Sequence, residues 1–262
     1  MSKSQDVQHA MITDWTFYLV AFPAVVLLGL SKGGFSGLGM AALPLMALTI
    51  PPLQAAAIIL PILMVQDVVS LFAYRKMWNR RVLMFFLPGA LIGTILATFL
   101  ASRVSDAMVQ AIVGAIAVIF VLKHWLHRKP AGQAPGEARL LPGLFWGSIC
   151  GFTSFIANAG GVPFQAYTVG LRLPPAIYAA SSTALFFILN WIKFLIFIWL
   201  GQVSGGNLTT SATLLPLAIV ATLLGIWMVK RVSAARFYLI VTSVTFLLGL
   251  KLIHDGARGL GF

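Results

Sequence analysis

Cysteine and acidic residues are what this sequence has least of. Its single cysteine, Cys150, excludes any internal disulfide, so no covalent framework holds the fold. Six Asp and Glu and eighteen Lys and Arg make only 9% of the 262 residues charged, where an average soluble domain carries roughly 25%. Too few polar side chains are present to cover a water-facing surface of this size, which excludes a soluble globular enzyme. The shortage of acid leaves a formal net charge of +12. In a soluble chain that excess would suggest nucleic acid. In a membrane chain, basic residues gather in cytoplasmic loops and face anionic lipid, so membrane lipid is the expected partner and nucleic acid is not. Residues 1–14 hold one Lys, two Asp and no small-residue cleavage site, which does not fit a signal peptide.

What the chain has is apolar length. Hydrophobic residues make up 60% and mean hydropathy is +0.95. At roughly 20 residues per span, the length holds about eight to ten hydrophobic segments and no soluble domain. Charges and Gly/Pro punctuation mark segments at 15–31, 35–50, 51–74, 82–101 and 105–126, then at 140–157, 160–171, 174–200, 209–229 and 233–253. The second set repeats the first. Gly29-x-x-x-Gly33 is matched by Gly147-x-x-x-Gly151, 118 residues on. Pro23 and Pro44 are matched by Pro142 and Pro163 at 119, and Pro51-Pro52 by Pro174-Pro175 at 123. Pro88, Arg103-Val104-Ser105 and Lys123 are matched by Pro216, Arg231-Val232-Ser233 and Lys251 at 128. An ordered series of this kind indicates a duplication: repeat 1 over 1–128, a cytoplasmic linker over 129–139 and repeat 2 over 140–262.

The loop charges orient the repeats. The loop after the third segment of repeat 1 carries Arg75, Lys76, Arg80 and Arg81, whereas its counterpart at 202–208 carries no charge. In the next loop the bias reverses, with Arg103 offset by Asp106 in repeat 1 and Lys230, Arg231 and Arg236 in repeat 2. Basic loops lie in the cytoplasm, so equivalent loops fall on opposite sides of the membrane. The predicted fold is an all-α polytopic membrane protein of two inverted-topology repeats with five hydrophobic segments each, both termini being non-cytoplasmic. The first two segments of each repeat are short and broken by Gly and Pro. At about 1.5 Å per residue, 35–50 reaches about 24 Å and 160–171 about 18 Å, against a hydrocarbon core of roughly 30 Å. Re-entrant segments or half-helices at matching positions of inverted halves point to a secondary-transporter site.

The stretch Gly29-Leu-Ser-Lys-Gly-Gly-Phe-Ser-Gly-Leu-Gly-Met-Ala-Ala-Leu-Pro44 resembles the glycine-rich opening of the TauE/SafE sulfite exporter family, and residues 151–163 resemble its second copy. The chain departs from that pattern at Met40-Ala41-Ala42 and Ile156-Ala157, where more glycine is usual. The resemblance covers nearly the whole chain. It implies a secondary transporter in the plasma membrane, the inner membrane of a bacterium, exporting a small sulfur-containing oxyanion such as sulfite or a small sulfonate. Proton coupling is an added expectation, and a channel-like anion uniporter of the same fold is the alternative. A membrane enzyme lacks an acid/base pair, a nucleophile–His pair or a metal set within the spans. An assembly factor would present a polar groove to lipid.

Mid-membrane anion binding needs donors and positive potential. Half-helix N-termini at the breaks 32–37 and 158–161 would supply both, although the GxxxG spacing by itself fits close helix packing as well. The candidate substrate-binding residues are Lys32, Gly33, Gly34 and Ser36 at the first break, with Gln66 on the third segment. The second repeat adds Asn158, Gly160, Gly161, Gln165, Ser181, Ser182, Thr183, Asn190 and Lys193. Lys32 either attracts the anion or snorkels to an interface. Asp67, deep in an apolar run, is a proton-coupling carboxylate, the static partner of Lys193, or a cap near the cytoplasmic end. At the 123-residue offset its repeat mate is Asn190, while Lys193 matches Ser70. His124 and His127 lack the two further ligands that a metal needs, and no cofactor is expected.

Overall fold

The computed structural model describes residues 11–75, 77–100, 105–126 and 136–261. Among them the regular elements are all helical: α1 (Trp15–Ser31), α2 (Ser36–Gly39), α3 (Ala42–Met46), α4 (Pro52–Tyr74), α5 (Arg80–Leu100), α6 (Asp106–Leu126), α7 (Leu140–Ala157), α8 (Gly161–Thr168), α9 (Pro175–Trp199), α10 (Gly205–Arg231) and α11 (Ala234–Gly259). Six of these, α4, α5, α7, α9, α10 and α11, are long and apolar enough to cross a membrane. At 17 residues α1 falls just short. Most of the 129–139 linker lies outside the described residues, as do Lys76, Arg103 and His127.

Local chemistry sets the helix ends. Asp14 caps α1, accepting from Thr16 N at 2.9 Å and Thr16 Oγ1 at 2.6 Å; these bonds hold its carboxyl below the usual range. Asn79 Oδ1 accepts from Val82 N at the head of α5, and Ser204 Oγ from Asn207 N at the head of α10. Pro52 and Pro175 occupy first turns, where a missing N–H costs nothing. The first segment of each repeat is continuous: α1 runs through Pro23, and α7 runs unbroken from Leu140 to Ala157. Only the second segments are broken, into α2 and α3 in one half, and into α8 with a 3-10 turn at Val169–Leu171 in the other. Eight residues of α8 rise about 12 Å, so it cannot span.

The helices pack in matched pairs. α1 lies on α10 and α5 on α7, each a first segment against a fourth of the other half. α4 packs on α9 and α6 on α11, and the short α2 touches α8. Without a hydrophobic driving force between helices in lipid, close backbone approach supplies the packing energy. The GxxxG residues serve this end. A Cβ on Gly29 would come within 2.5 Å of Ala221 Cβ, and one on Gly33 would run into Gly225 O. Gly147 and Gly151 stand equally close to Phe86 O and Ala90 O, while Gly89 and Gly93 face Leu144 O and Ser148 O. Outward faces present Phe72, Met84, Phe99, Leu126, Trp199 and Leu247, the apolar surface that lipid requires.

Replacing Gly151 by Leu should therefore destabilise the protein by about 1–3 kcal/mol or more, because backbone must move to admit the side chain. Gly205→Ala, where nothing stands within 4 Å of the new Cβ, should leave thermal unfolding in detergent unchanged.

Candidate functional site

Two helices stop short inside the bundle, and the ionisable residues collect where they stop. α1 ends at Ser31, followed by Lys32 and by Gly34 at φ 87°. A side chain on Gly34 would meet both that left-handed backbone and the Phe237 ring. α7 ends at Ala157, followed by Asn158, also left-handed at φ 52°. Between these ends run the middles of α4 and α9. The Lys32 Nζ lies 2.5 Å from Asp67 Oδ1, and Asn190 Nδ2 donates to Asp67 Oδ2 at 2.7 Å. Asp67 and Asn190, mates at the 123-residue offset, thus meet side by side. Tyr74 OH donates to Lys32 O at 3.0 Å.

The partner of Asp67 differs from the expected one. It is Lys32 and not Lys193, because Lys193 Nζ turns to the end of α7. There it donates to Ser154 O at 3.0 Å and to Asn158 Oδ1 at 3.3 Å, with Ser154 Oγ at 3.5 Å. Lys193 is 5% exposed, and among the described residues no carboxylate lies within ion-pair distance of it. Lys32 is buried too, which excludes the snorkelling alternative.

A cavity of about 60 Å³ lies against this group. It is lined by Lys32, Asn158, Gly161, Ser182, Thr183 and Asn190, together with Leu28, Ser31, Gly39, Leu63 and Phe186. At roughly 10–15 Å³ of such volume per water, it holds about four to six waters, enough to exchange for a small oxyanion. Lys193 lines a second, smaller cavity that shares Asn158 and Leu63 with the first.

Besides Asp67, which lies behind Lys32 and Asn190, and Lys193 in the second cavity, six of the expected site residues stand off the walls of the central cavity. Gly33 is spent on the contact with Gly225 and Gly34 on the turn. Gly160 precedes α8, where its carbonyl accepts from Cys150 Sγ. Gln66 Nε2 reaches Ala218 O, and Gln165 Oε1 accepts from Thr245 Oγ1 at 2.8 Å. Ser181 Oγ donates to Ile177 O and accepts from Asn79 N, at the end of the bundle that carries Arg75 and Arg80. The side chains of Ser36 and His124 lie outside the described ones.

The expected pair of half-helix N-termini is also revised. What meets the cavity is the C-terminal ends of α1 and α7 plus one N-terminus, that of the short α8. C-termini carry partial negative charge, so the positive potential here comes from ammonium groups. Ser31, Ser154, Tyr74 and the apolar liners were not singled out in the sequence. Ser154 had a signal, lying inside the 151–163 motif; Leu63 and Phe186 had none among so many similar residues.

Asp67→Asn should cost about 3–5 kcal/mol by leaving the Lys32 ammonium buried without its counter-charge. Adding Lys32→Met should restore most of the loss in thermal unfolding, whereas adding Lys193→Met should restore none.

Curated proteins and solved structures each yield no match to the chain. The profile of a family described as sulfite exporter TauE/SafE matches residues 21–252, which takes in both helix ends, the cavity and the Lys32–Asp67–Asn190 cluster. A match over so much of the length, on a chain of membrane-crossing helices, shows that this multi-pass protein belongs to the TauE/SafE sulfite exporter family of transporters.

Proposed function

We propose that the chain exports a small sulfur-containing oxyanion, sulfite or a small sulfonate, across the plasma membrane, the inner membrane of a bacterium, and binds it in the central cavity between α1, α4, α7 and α9 together with the adjoining one that Lys193 lines. One observation carries this reading: Lys193 is a buried ammonium whose hydrogen-bond partners are all uncharged. A buried charge without a counter-ion is costly unless something of opposite sign visits it. Lys32, Lys193 and Asp67 together leave one uncompensated positive charge, which a monoanion neutralises. Asn158, Asn190, Ser182 and Thr183 add neutral polar contacts that orient an oxyanion without caging it.

Asp67 is the coupling group in this reading. While ionised it holds Lys32. A proton taken up there releases the ammonium toward the cavity, adding the positive charge that a dianion needs. Alternating access is favoured over a continuous pore because aromatic side chains fill the bundle beyond the cavity. Phe35, Phe164, Tyr178 and Phe237 lie there in mutual contact, with centroids 5.5–5.6 Å apart along the chain of rings.

The proposed machinery is a pair of inverted repeats. Support comes from the reciprocal packing of α1 on α10 and α5 on α7, and from the basic residues Arg75, Arg80, Arg81, Arg139, Arg231 and Arg236, which fall at one set of helix ends. That set is taken as cytoplasmic, with both termini on the other side.

In proteoliposomes, sulfite or a small sulfonate should be transported, faster under an imposed pH gradient, and sulfate tested beside them sets the charge preference. Lys193→Met should lower apparent anion affinity by about tenfold or more, the scale of one lost charge-assisted hydrogen bond. Unchanged affinity with full flux would remove Lys193 from the site. Single cysteines at Asn79 and Asn207 should react with an impermeant thiol reagent from opposite sides; reaction from the same side rules out inversion.

A further inference from the structure

Three cavities stand in file along α7 and α9. The outermost is a chamber of about 490 Å³ reaching the helix ends at Pro52, Leu53, Leu200 and Gln202. It shares Leu43, Ala56, Phe155, Ile156 and Phe197 with the small cavity that Lys193 lines. That one in turn shares Leu63 and Asn158 with the central cavity. At the passage from chamber to Lys193 stand two rings, Phe155 and Phe197, edge to face with centroids 6.1 Å apart. Leu43, Ala56 and Ile156 line both cavities at the same passage, and among the described residues the apolar cluster around Phe197 has Ala57 and Leu60 as its other buried members.

The opposite end of the central cavity is built differently. There Phe35, Phe164, Tyr178 and Phe237 belong to the largest buried apolar cluster among the described residues. Tyr74, fully buried, pins Lys32 O through its hydroxyl. Tyr74 and Phe197 are separated by 123 residues, the same offset that relates Asp67 to Asn190. Equivalent ring positions on α4 and α9 therefore hold a hydrogen-bonded tyrosine at one end and a phenylalanine, which has no hydroxyl to pin, at the other.

We infer that this file of cavities is the anion's route between Lys193 and the Gln202 side, and that Phe155 and Phe197 form the constriction on it that sets the size of what passes. The inference rests on the central cavity being the anion site. The two rings close the route by van der Waals contact alone, so they part at low cost. The tyrosine end is held by a hydrogen bond and by packing on all sides. The resting protein is consequently open, up to two rings, toward the uncharged 202–208 loop. Size discrimination follows because the rings are the narrow point before the lysine, whereas the chamber itself is wide.

Thiol accessibility tests this on the full chain in liposomes, in a Cys150→Ala background. An impermeant, charged methanethiosulfonate added on the side where Asn207→Cys reacts should label Ala47→Cys, which lines the chamber and not the inner cavity, quickly and Ser182→Cys in the central cavity slowly. Phe155→Ala or Phe197→Ala should accelerate labelling of Ser182→Cys by on the order of tenfold, what an aromatic pair contact is worth, and Phe155→Trp should slow it. The same alanine variants should pass a bulky aryl sulfonate faster relative to sulfite. Phe197→Leu provides a milder opening if an alanine variant fails to elute as a monodisperse species. An unreactive Ala47→Cys, meaning a chamber filled by lipid, or labelling of Ser182→Cys indifferent to both rings, would overturn the route. Labelling needs no substrate, so its failure is separate from a failure of transport: ring-dependent labelling without anion flux would uphold the route and sink the proposed function alone.

Discussion

The carbonyls at the ends of α1 and α7 impose the constraint on which the site depends. Both helices stop inside the bundle, where water is scarce and each unmet backbone group costs several kcal/mol. Turn hydrogen bonds meet part of the need: Lys32 N, Gly33 N and Gly34 N reach back to Gly29 O, Leu30 O and Ser31 O, and Ala159 N reaches Thr153 O. Side chains meet more of it. Tyr74 takes Lys32 O, Lys193 takes Ser154 O, and Cys150 takes Gly160 O. Lys193 is thus anchored by the end of α7, and its position is a consequence of where that helix stops.

Charge follows from the same geometry. Lys32 sits one residue past the end of α1, so its ammonium is delivered to the level of Asp67 on α4. Asn190 completes the carboxylate's second oxygen from α9. The carboxylate is thereby satisfied on both sides, while Lys193, one helical turn along α9 from Asn190, has only neutral partners. An imbalance of one charge is felt strongly inside such a bundle, and it arises without any oriented helix N-terminus of useful length.

Glycine divides between two tasks that the sequence does not separate. Gly29, Gly33, Gly147 and Gly151 bring α1 onto α10 and α7 onto α5. Among the described residues, Gly39 and Gly161 are the glycines that line the central cavity. A motif shared by neighbouring glycines therefore conceals a packing face and a pocket wall, distinguished only by which side of the helix each residue occupies.

Composition and segment lengths alone determined that this is a helical membrane protein, because a chain so poor in charge has no other solvent. The family resemblance was legible in the residues of 29–44 and 151–163, and the 123-residue offset made Asn190 the repeat mate of Asp67, although their contact came only with the tertiary structure. The choice of Lys32 over Lys193 as the partner of Asp67 belonged to the tertiary structure. A lysine side chain spans several ångströms, and which acceptor it meets depends on where a neighbouring helix ends. Likewise Gln165 and Ser181, polar residues in suggestive places, found partners in Thr245 and Asn79, contacts between segments that no local pattern specifies. Sequence determined which residues are too costly to bury without purpose; packing decided which of them face one another.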